Sequence, residues 1–310
     1  MGIVDFNNKL NDKNILVTGY RGYLGSSLVK KLDNTSCNIF LFDGDVSSPD
    51  DWRNNIQNEI DIIFHLAGIE LQNSYQEIDD IEREWRINCL SLLHLLDICI
   101  DKPNIKIVFT SSTNIFANNI KNIVNENSIS LPKGVWSAHK LLSENYLNIY
   151  HNIYGIKSII LRLPNVYGPA ANFDTVDRMV INKVIRIALE SNKLKIFNNS
   201  ECFRDFLFID DVINALLMAC LIEDNLYNAK YFVLGSNQKI TIKDVWGIIS
   251  DCMGNLQVEL DEYYEIHPLE MRSYTGDYTA YNNLTGWNPK VSLEDGIGRT
   301  ISFMQKVVNE

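Results

Sequence analysis

Residues 14–25 read Asn-Ile-Leu-Val-Thr-Gly19-Tyr-Arg-Gly22-Tyr-Leu-Gly25, an apolar run followed by three glycines spaced three apart. The apolar run predicts a β-strand, and residues 23–32 have the apolar spacing of a helix. The glycines therefore lie where a strand turns into the amino end of a helix, the setting of a phosphate-binding loop. Gly19 permits the tight turn, Gly22 lets backbone N–H groups approach a pyrophosphate, and Gly25 lets the helix pack on the strand. The segment predicts a dinucleotide site.

An acidic residue follows at the end of the second predicted strand. Asp43 can hydrogen-bond both hydroxyls of an adenine ribose and would repel a 2′-phosphate, so NAD is expected rather than NADP. Arg21 in the glycine loop argues the other way, because a basic residue there can meet a 2′-phosphate, but it can equally be a solvated loop residue. Asp45 either contacts the adenine or is simply a loop acid.

The rest of the chain predicts an α/β fold, a Rossmann-like doubly wound parallel sheet with a smaller α/β substrate lobe in the C-terminal half. We expect residues 1–167 and about 203–224 to form the NAD domain, and residues 168–202 and about 225–310 to form the lobe. Strands are predicted over residues 14–18, 38–43, 61–66, 105–111, 158–163, 206–209 and 231–234, and helices over residues 23–32, 49–58, 78–100 and 136–154. Capping boxes starting at Thr241 and Ser292 each predict a further helix.

Composition excludes several classes of function. The formal net charge is −11, and the 28 Lys and Arg residues form no stripe, which argues against a nucleic-acid partner. The longest apolar candidate, residues 90–100, contains His94 and Asp97 and does not predict a membrane span. Without a signal-peptide pattern, a cytoplasmic protein is expected. The six cysteines form no CxxC and the five histidines no HxxxH, so neither a disulfide framework nor a metal site is indicated.

A series of motifs in order resembles the extended short-chain dehydrogenase/reductase family, the NAD-dependent epimerases, dehydratases and reductases of nucleotide sugars. The resemblance covers nearly the whole chain. The matching segments are residues 18–25 for TGxxGxxG, 61–68 for DxVxHLAA, Asn88 for the NxxGT helix, 109–116 for the strand with the catalytic Ser or Thr, 162–169 for RxxNVYGP, 204–211 for RDFxxVDD and 284–289 for LGWxP.

This resemblance implies NAD as cofactor, a nucleotide sugar as substrate and a homodimer formed through the long helices. The implied cofactor-binding residues are Gly19, Arg21, Gly22, Tyr23, Leu24, Gly25, Asp43, Asp45, Val46, Leu66, Ala67, Gly68, Asn88 and Lys140. The implied substrate-binding residues are Ser112, Asn165, Arg204 and Arg272, the last three at the diphosphate, where arginines supply local positive charge. Each arginine can instead form a surface ion pair. The base and the sugar are not specified, because residues 170–202 are the variable part of the family.

The catalytic segment departs from the family. There a Tyr and a Lys four residues later share a helix face with a nearby Ser or Thr, and the Tyr phenolate accepts the sugar hydroxyl proton. Lys140 and Ser112 occupy their expected positions here, but Trp136 stands in place of the Tyr, and indole cannot act as a base at neutral pH. Thr113 and Asn114 stand where the family's 4,6-dehydratases carry an acid pair. Dehydration is therefore disfavoured, which leaves oxidation, reduction or epimerisation, with C4 the expected carbon.

Three explanations of Trp136 stay open. In the first, His139, Glu70 or Tyr75 supplies the base, although His139 can equally be a packing or exposed residue. In the second, the protein reduces a keto-sugar with Ser112 or water as the proton source. In the third, it binds NAD and a nucleotide sugar without redox chemistry. The leading interpretation is an NAD(H)-dependent oxidoreductase or epimerase of a nucleotide-activated sugar.

Overall fold

The computed structural model describes residues 6–57, 59–71, 77–116, 122–171, 175, 179–197, 202–254, 256–261 and 273–309. Its helices are α1 (Phe6–Leu10), α2 (Tyr23–Leu32), α3 (Pro49–Asn55), α4 (Ile78–Trp85), α5 (Ser91–Ile100), α6 (Val135–Tyr154), α7 (Val180–Ser191), α8 (Ile209–Cys220), α9 (Ile242–Met253), α10 (Thr279–Thr285) and α11 (Leu293–Asn309). A π-helical turn, Arg86–Leu90, joins α4 to α5.

The strands are β1 (Asn14–Thr18), β2 (Asn38–Leu41), β3 (Ile62–His65), β4 (Lys106–Ser112), β5 (Asn122–Val124), β6 (Lys157–Leu163), β7 (Asn165–Tyr167), β8 (Lys193–Phe197), β9 (Phe203–Arg204), β10 (Phe206–Phe208), β11 (Lys230–Val233), β12 (Ile240–Thr241), β13 (Gln257–Asp261) and β14 (Tyr274–Gly276). Among the described residues, no helix combines the length and apolarity needed to cross a bilayer.

Six strands form one parallel sheet in the order β11-β6-β4-β3-β1-β2. The chain builds outward from β1 to β2, then crosses to the other side of β1 to place β3. This reversal between β1 and β3 is a topological switch point, and ligands of such sheets bind there, beyond the carboxyl ends of the strands. The predicted α/β, Rossmann-like fold is confirmed.

Helices cover both faces of the sheet, which explains why its central strands are almost continuously apolar. Ile15 and Val17 of β1 point into a core shared with Leu28 of α2, whereas Leu16 points into the opposite core with Trp52 of α3. All five side chains are buried, and each large apolar side chain buried in this way stabilises the fold by about 1.5–3 kcal/mol. The rigid sheet fixes the strand ends that carry the polar residues described below.

Several predicted boundaries differ from the structure. The second strand ends at Leu41 rather than at residue 43, and α3 ends at Asn55 rather than at residue 58. The early end of β2 has a side-chain cause: Asn55 accepts a hydrogen bond from the Asp43 N–H and donates one to the Asp43 carbonyl, so these backbone groups are not paired with a neighbouring strand. The strand predicted over 206–209 stops at Phe208, where α8 begins.

The second half adds two-stranded pairings, β7 with β10, β9 with β12, β8 with β13 and β5 with β14. The predicted capping box is present at Thr241, whose hydroxyl and backbone N–H bond Asp244 reciprocally. Ser292 Oγ accepts from the Asp295 N–H at the start of α11. The division into two lobes stays a prediction; because β11 pairs with β6, any division has to give residues 230–233 to the main sheet.

Candidate active site

The glycine loop forms a backbone cradle between β1 and α2. Gly19 has a φ of +65°, and a Cβ there would lie 2.7 Å from the Ala67 nitrogen. A Cβ on Gly25 would overlap the Gly19 carbonyl, so α2 packs against the loop only because this position is glycine. Gly22 is the N-cap of α2 and makes no side-chain cap hydrogen bond. The first N–H groups of α2 are thus left for an anion, which the helix dipole favours. The cradle fits the pyrophosphate of a dinucleotide.

The first residues of α2 anchor the cradle. Tyr23 is buried, and its hydroxyl donates to the Gly168 carbonyl at 3.0 Å. Leu24 packs against the core. Arg21 is exposed, and its guanidinium lies 5.1 Å from the centre of the Tyr20 ring. Tyr23 and Leu24 therefore anchor the cradle to the protein interior, while Arg21 lies at the protein surface.

Residues 42–47 form the loop expected to meet the adenosine. Asp43 is exposed and has its backbone fixed by Asn55, whereas the Asp45 carboxylate accepts from both the N–H and the hydroxyl of Ser47. The Val46 carbonyl accepts from the Trp52 indole at 2.7 Å. An open groove of about 480 Å³ lies beside this loop and is lined by Asp45, Ser47, Asp79, Glu82, Arg83, Arg86 and Ile87. The carboxylate of Asp43 is thus presented on a fixed backbone, as a ribose contact requires.

The segment after β3 is fixed by side chains of neighbouring elements. Thr18 Oγ1 accepts from the Leu66 and Ala67 N–H groups at 3.1 and 3.0 Å and is hydrogen-bonded to His65 Nδ1 at 3.1 Å. Burial lowers the pKa of His65 to about 3, so its ring is neutral. Sequence reasoning missed the roles of Thr18 and His65, although both are polar residues that end central apolar strands.

Asn88 holds the next part of this segment. Its Oδ1 accepts from the Ile69 N–H at 3.0 Å and its Nδ2 donates to the Ile69 carbonyl at 2.8 Å. A Cβ on Gly68 would lie 3.0 Å from Asn88 Oδ1 and 3.6 Å from Lys140 Nζ. A side chain at residue 68 would thus crowd Asn88 Oδ1 and contact the lysine amine.

Lys140 is buried on α6, facing the sheet. Its Nζ donates to the Thr110 carbonyl at 3.0 Å and lies 4.9 Å from the centre of the Phe109 ring. Burial lowers the pKa of its ammonium to about 8, while the nearby Cys89, Glu144 and Glu70 act in the opposite direction. A buried lysine at the end of parallel strands, with a pKa moved towards neutrality, is typical of a functional site.

Ser112 and Trp136 are the other two residues of the predicted catalytic set. Ser112 ends β4, and its Oγ accepts from the Asn114 N–H at 3.0 Å, which leaves the hydroxyl proton available to a substrate oxygen. Trp136 lies in the first turn of α6, half-buried, with its ring centre 5.8 Å from Lys140 Nζ. The structure thus brings the lysine and the indole together on one helix face, as the spacing predicts.

The alternative bases have different surroundings. His139 is buried, and its Nδ1 lies 3.1 Å from Glu84 Oε1. Glu70 is exposed on the segment after β3, close enough for its charge to act on Lys140. Tyr75 lies outside the described residues. Sequence reasoning missed Glu84, because its complete burial is visible only in the structure. A fully buried carboxylate is rare and indicates a specific partner.

The predicted diphosphate residues lie on β7 and β9. The backbone N–H and the side-chain amide of Asn165 both donate to the Asp205 carbonyl, at 3.2 and 3.0 Å. Arg204, the residue before Asp205, is half-buried. Asp205, which sequence reasoning missed, is buried and accepts from the N–H groups of Ser236 and Gly276. Burial raises its pKa to about 6. Arg272 lies outside the described residues. Among the residues described, His, Cys, Asp and Glu form no cluster suited to a metal ion.

Known proteins share both the sequence pattern and the fold. The chain is 26% identical to a putative UDP-glucose 4-epimerase of Methanocaldococcus jannaschii, over 94% of this chain and 98% of that protein. It is 25% identical to a UDP-glucuronate 4-epimerase of Thermodesulfobacterium geofontis, over 80% of this chain and 73% of that one. The UDP-glucose 4-epimerase of Thermotoga maritima, solved with UDP-glucose, superposes with a TM-score of 0.82 at 25% identity, covering 96% of this chain and all of that one.

A family model describes this pattern as a whole. The model of the NAD dependent epimerase/dehydratase family matches residues 15–235, which include the glycine cradle, Lys140, Ser112 and the segment of Arg204. The match covers well over half of the chain and confirms the resemblance that the motifs indicate, with NAD as the cofactor. This chain belongs to the NAD-dependent epimerase/dehydratase family.

Proposed function

We propose that this protein is an NAD(H)-dependent enzyme that oxidises, reduces or epimerises a nucleotide-activated sugar at C4. The observation that carries the proposal is the buried amine of Lys140, held at the carboxyl ends of the central strands between the Gly68 backbone and Trp136. It lies with Ser112 at the edge of the sheet where the glycine cradle opens. The relatives named as 4-epimerases of UDP-glucose and UDP-glucuronate support a uridine nucleotide and C4 as the first choice.

The proposed roles follow from the groups that each residue presents. The N–H groups of α2 bind the pyrophosphate and Asp43 binds the adenosine ribose, while Asn165 and Arg204 bind the substrate diphosphate. When bound, NAD supplies the hydride acceptor or donor. Lys140 donates hydrogen bonds to ribose hydroxyls from an ammonium that is already desolvated, and Ser112 donates a hydrogen bond to the reacting sugar oxygen. Lys140, Ser112 and Asn165 are each held by a hydrogen bond within the fold before any ligand arrives, which favours catalysis.

Trp136 requires that another group accept the sugar proton. Among the candidates, Glu70 has the most suitable surroundings, because its exposed carboxylate lies near Lys140 and can exchange protons with substrate or solvent. His139 instead directs Nδ1 at a buried carboxylate. We therefore assign the proton acceptor to Glu70, and Glu70→Gln should reduce turnover far more than it changes NAD affinity.

The test is to load the protein with NAD, add UDP-, GDP-, CDP- and dTDP-sugars separately, and follow reduced nicotinamide by absorbance and fluorescence. Bound NADH or an epimerised product with one sugar supports the proposal and names the substrate. Ser112→Ala and Lys140→Met should each lower the rate by about 100-fold or more. If neither variant changes turnover by even about tenfold, the assignment of the site is wrong.

A second candidate, favoured by Trp136 alone, is a catalytically silent protein that binds NAD and a nucleotide sugar. It predicts tight sugar binding by calorimetry with no reduced nicotinamide across the panel. It also predicts that Trp136→Tyr creates activity, because this change restores a phenol four residues before Lys140. A reductase awaiting a keto-sugar is distinguished from both by consumption of NADH when the 4-keto form is supplied.

We further propose that the protein is a cytoplasmic homodimer. The outer face of α6 supports the pairing, because Ile149 and Ile153 are 46% and 64% exposed, one helical turn apart, and Tyr154 adjoins them. Apolar patches on helices typically mark interfaces. Sedimentation equilibrium tests this: a monomer at all accessible concentrations refutes the pairing, and Ile153→Glu should dissociate a dimer that uses this face.

A further inference from the structure

A buried carboxylate joins three segments next to the candidate active site. Glu84 of α4 has no exposed surface, and both of its oxygens have partners: Oε1 lies 3.1 Å from His139 Nδ1, and Oε2 accepts from the Leu71 N–H at 3.1 Å. Removing a carboxylate from water is unfavourable unless donors surround it. The contact with the carboxylate also favours the histidine tautomer that carries its proton on Nδ1. Glu84 therefore ties α4, α6 and the segment after β3 to one another.

This carboxylate works together with Asn88. Residues four apart on a helix lie on the same face, so Glu84 and Asn88 point at the same segment. Asn88 holds Ile69 by both its N–H and its carbonyl, and Glu84 holds Leu71 by its N–H. Glu70 is thus fixed between two held residues.

The held segment borders the lysine amine. A Cβ on Gly68 would be 3.6 Å from Lys140 Nζ, so a side chain at this position would contact the amine and the segment passes close to it. His139 precedes Lys140 on α6 and is further fixed by its carbonyl, which accepts from Cys89 and Ser143. One carboxylate therefore fixes both the segment that borders the amine and the helix turn that carries it.

We propose that Glu84 and His139 are a positioning pair that holds residues 69–71 against the amine of Lys140. The pair keeps the segment and the helix in register at a site where Trp136 replaces the family's tyrosine. His139 acts through Glu84 and is not the base. This inference rests on the proposed function for its catalytic meaning, but the contacts it invokes are testable without any sugar.

The experiment measures amide hydrogen exchange at residues 69–71 and the rate at which an N-hydroxysuccinimide acetate reagent acetylates Lys140, both in the full-length protein without cofactor. Glu84→Gln, His139→Ala and the double variant are compared with His151→Ala. His151 is a matched control, because it is another histidine of α6 whose Nδ1 has a partner, the Ile156 carbonyl at 3.0 Å, at the far end of the helix.

His139→Ala should speed exchange at Leu71 by about tenfold, the equivalent of one lost hydrogen bond, although His139 does not touch Leu71. Acetylation of Lys140 should rise in the same variant by about threefold or more. The double variant should change both rates little more than either single variant does, because each single variant already breaks the same connection from His139 through Glu84 to Leu71. His151→Ala should leave both rates unchanged.

Unchanged exchange at Leu71 in His139→Ala would overturn the proposal, and so would an equal effect of His151→Ala. If Glu84→Gln does not fold, His139→Ala still decides the matter, because it keeps the Glu84 carboxylate and removes only the histidine that orients it towards the Leu71 N–H. Neither readout involves the sugar or hydride transfer. If the exchange rates do not change as expected but one of the nucleotide sugars reacts, only the positioning pair is refuted. If the exchange rates change as expected but none of the nucleotide sugars reacts, only the proposed function is refuted.

Discussion

Replacing Lys140 by methionine should stabilise the protein while removing its function. The ammonium is buried, and burial lowers its pKa from 10.5 to about 8. A shift of this size corresponds to about 3 kcal/mol of unfavourable free energy when the amine is charged. Methionine loses the hydrogen bond to the Thr110 carbonyl, worth about 1 kcal/mol, but it retains apolar contact with the Phe109 ring. Lys140→Met should therefore raise the free energy of unfolding by about 2 kcal/mol near neutral pH.

The sign of the pH dependence is fixed by the direction of the shift. Because the folded-state pKa is depressed, the unfolded chain binds more protons than the folded chain between about pH 8 and 10.5, so the lysine protein gains stability as pH rises through this window. The methionine variant has no such gain. Its advantage of about 2 kcal/mol near pH 7 should fall to near zero by about pH 9.5.

Urea unfolding of both proteins at these two pH values measures the difference directly. Lys183→Met is the control, because Lys183 is an exposed lysine of α7 and its replacement should give a small change that is independent of pH. Calorimetry should show that Lys140→Met weakens NAD binding. A variant that is destabilised at both pH values, or whose advantage does not change with pH, would refute the reasoning.

Further predictions concern the buried ion pair, the cradle and Glu70. Glu144→Gln should destabilise the protein by about 3–5 kcal/mol in urea unfolding, because Arg162 is buried and is bonded by both Glu144 oxygens at 3.0 and 2.6 Å; an effect no larger than that of the exposed Glu190→Gln would contradict it. Gly19→Ala should abolish NAD binding by calorimetry, since its Cβ would collide with the Ala67 backbone. Glu70→Gln should lower the pKa of Lys140 below about 8, because Glu70 raises it; ¹³C NMR titration after reductive methylation measures this, and an increase would contradict it.

The features that sequence reasoning predicted are those set by local spacing. The strand, the three glycines and the helix follow one another within residues 14–32, so the turn conformation is encoded where it occurs. Lys140 and Trp136 share a face because they are four residues apart on a helix. The fold class follows from the same alternation of strand and helix patterns.

The features that it missed depend on contacts between distant residues. Glu84 and His139 are 55 positions apart, and nothing near either residue indicates the other. The early end of β2 has a similar origin, because the side chain of Asn55, 12 residues further along the chain, forms hydrogen bonds with the backbone N–H and carbonyl of Asp43. Thr18 and His65 were read as parts of apolar strands, whereas their polar atoms fix the segment that follows β3.

Trp136 also gives the protein an intrinsic optical probe at the candidate active site. The indole ring lies 5.8 Å from the Lys140 amine, the group proposed to hold the cofactor ribose. Indole emission overlaps the absorption of reduced nicotinamide, so an indole at this position transfers its excitation to the cofactor efficiently. Occupancy and redox state can therefore be read from the unlabelled protein, with Trp136→Phe as the reference that removes the contribution of this one of the five tryptophans. A tyrosine at this position would give a far weaker signal.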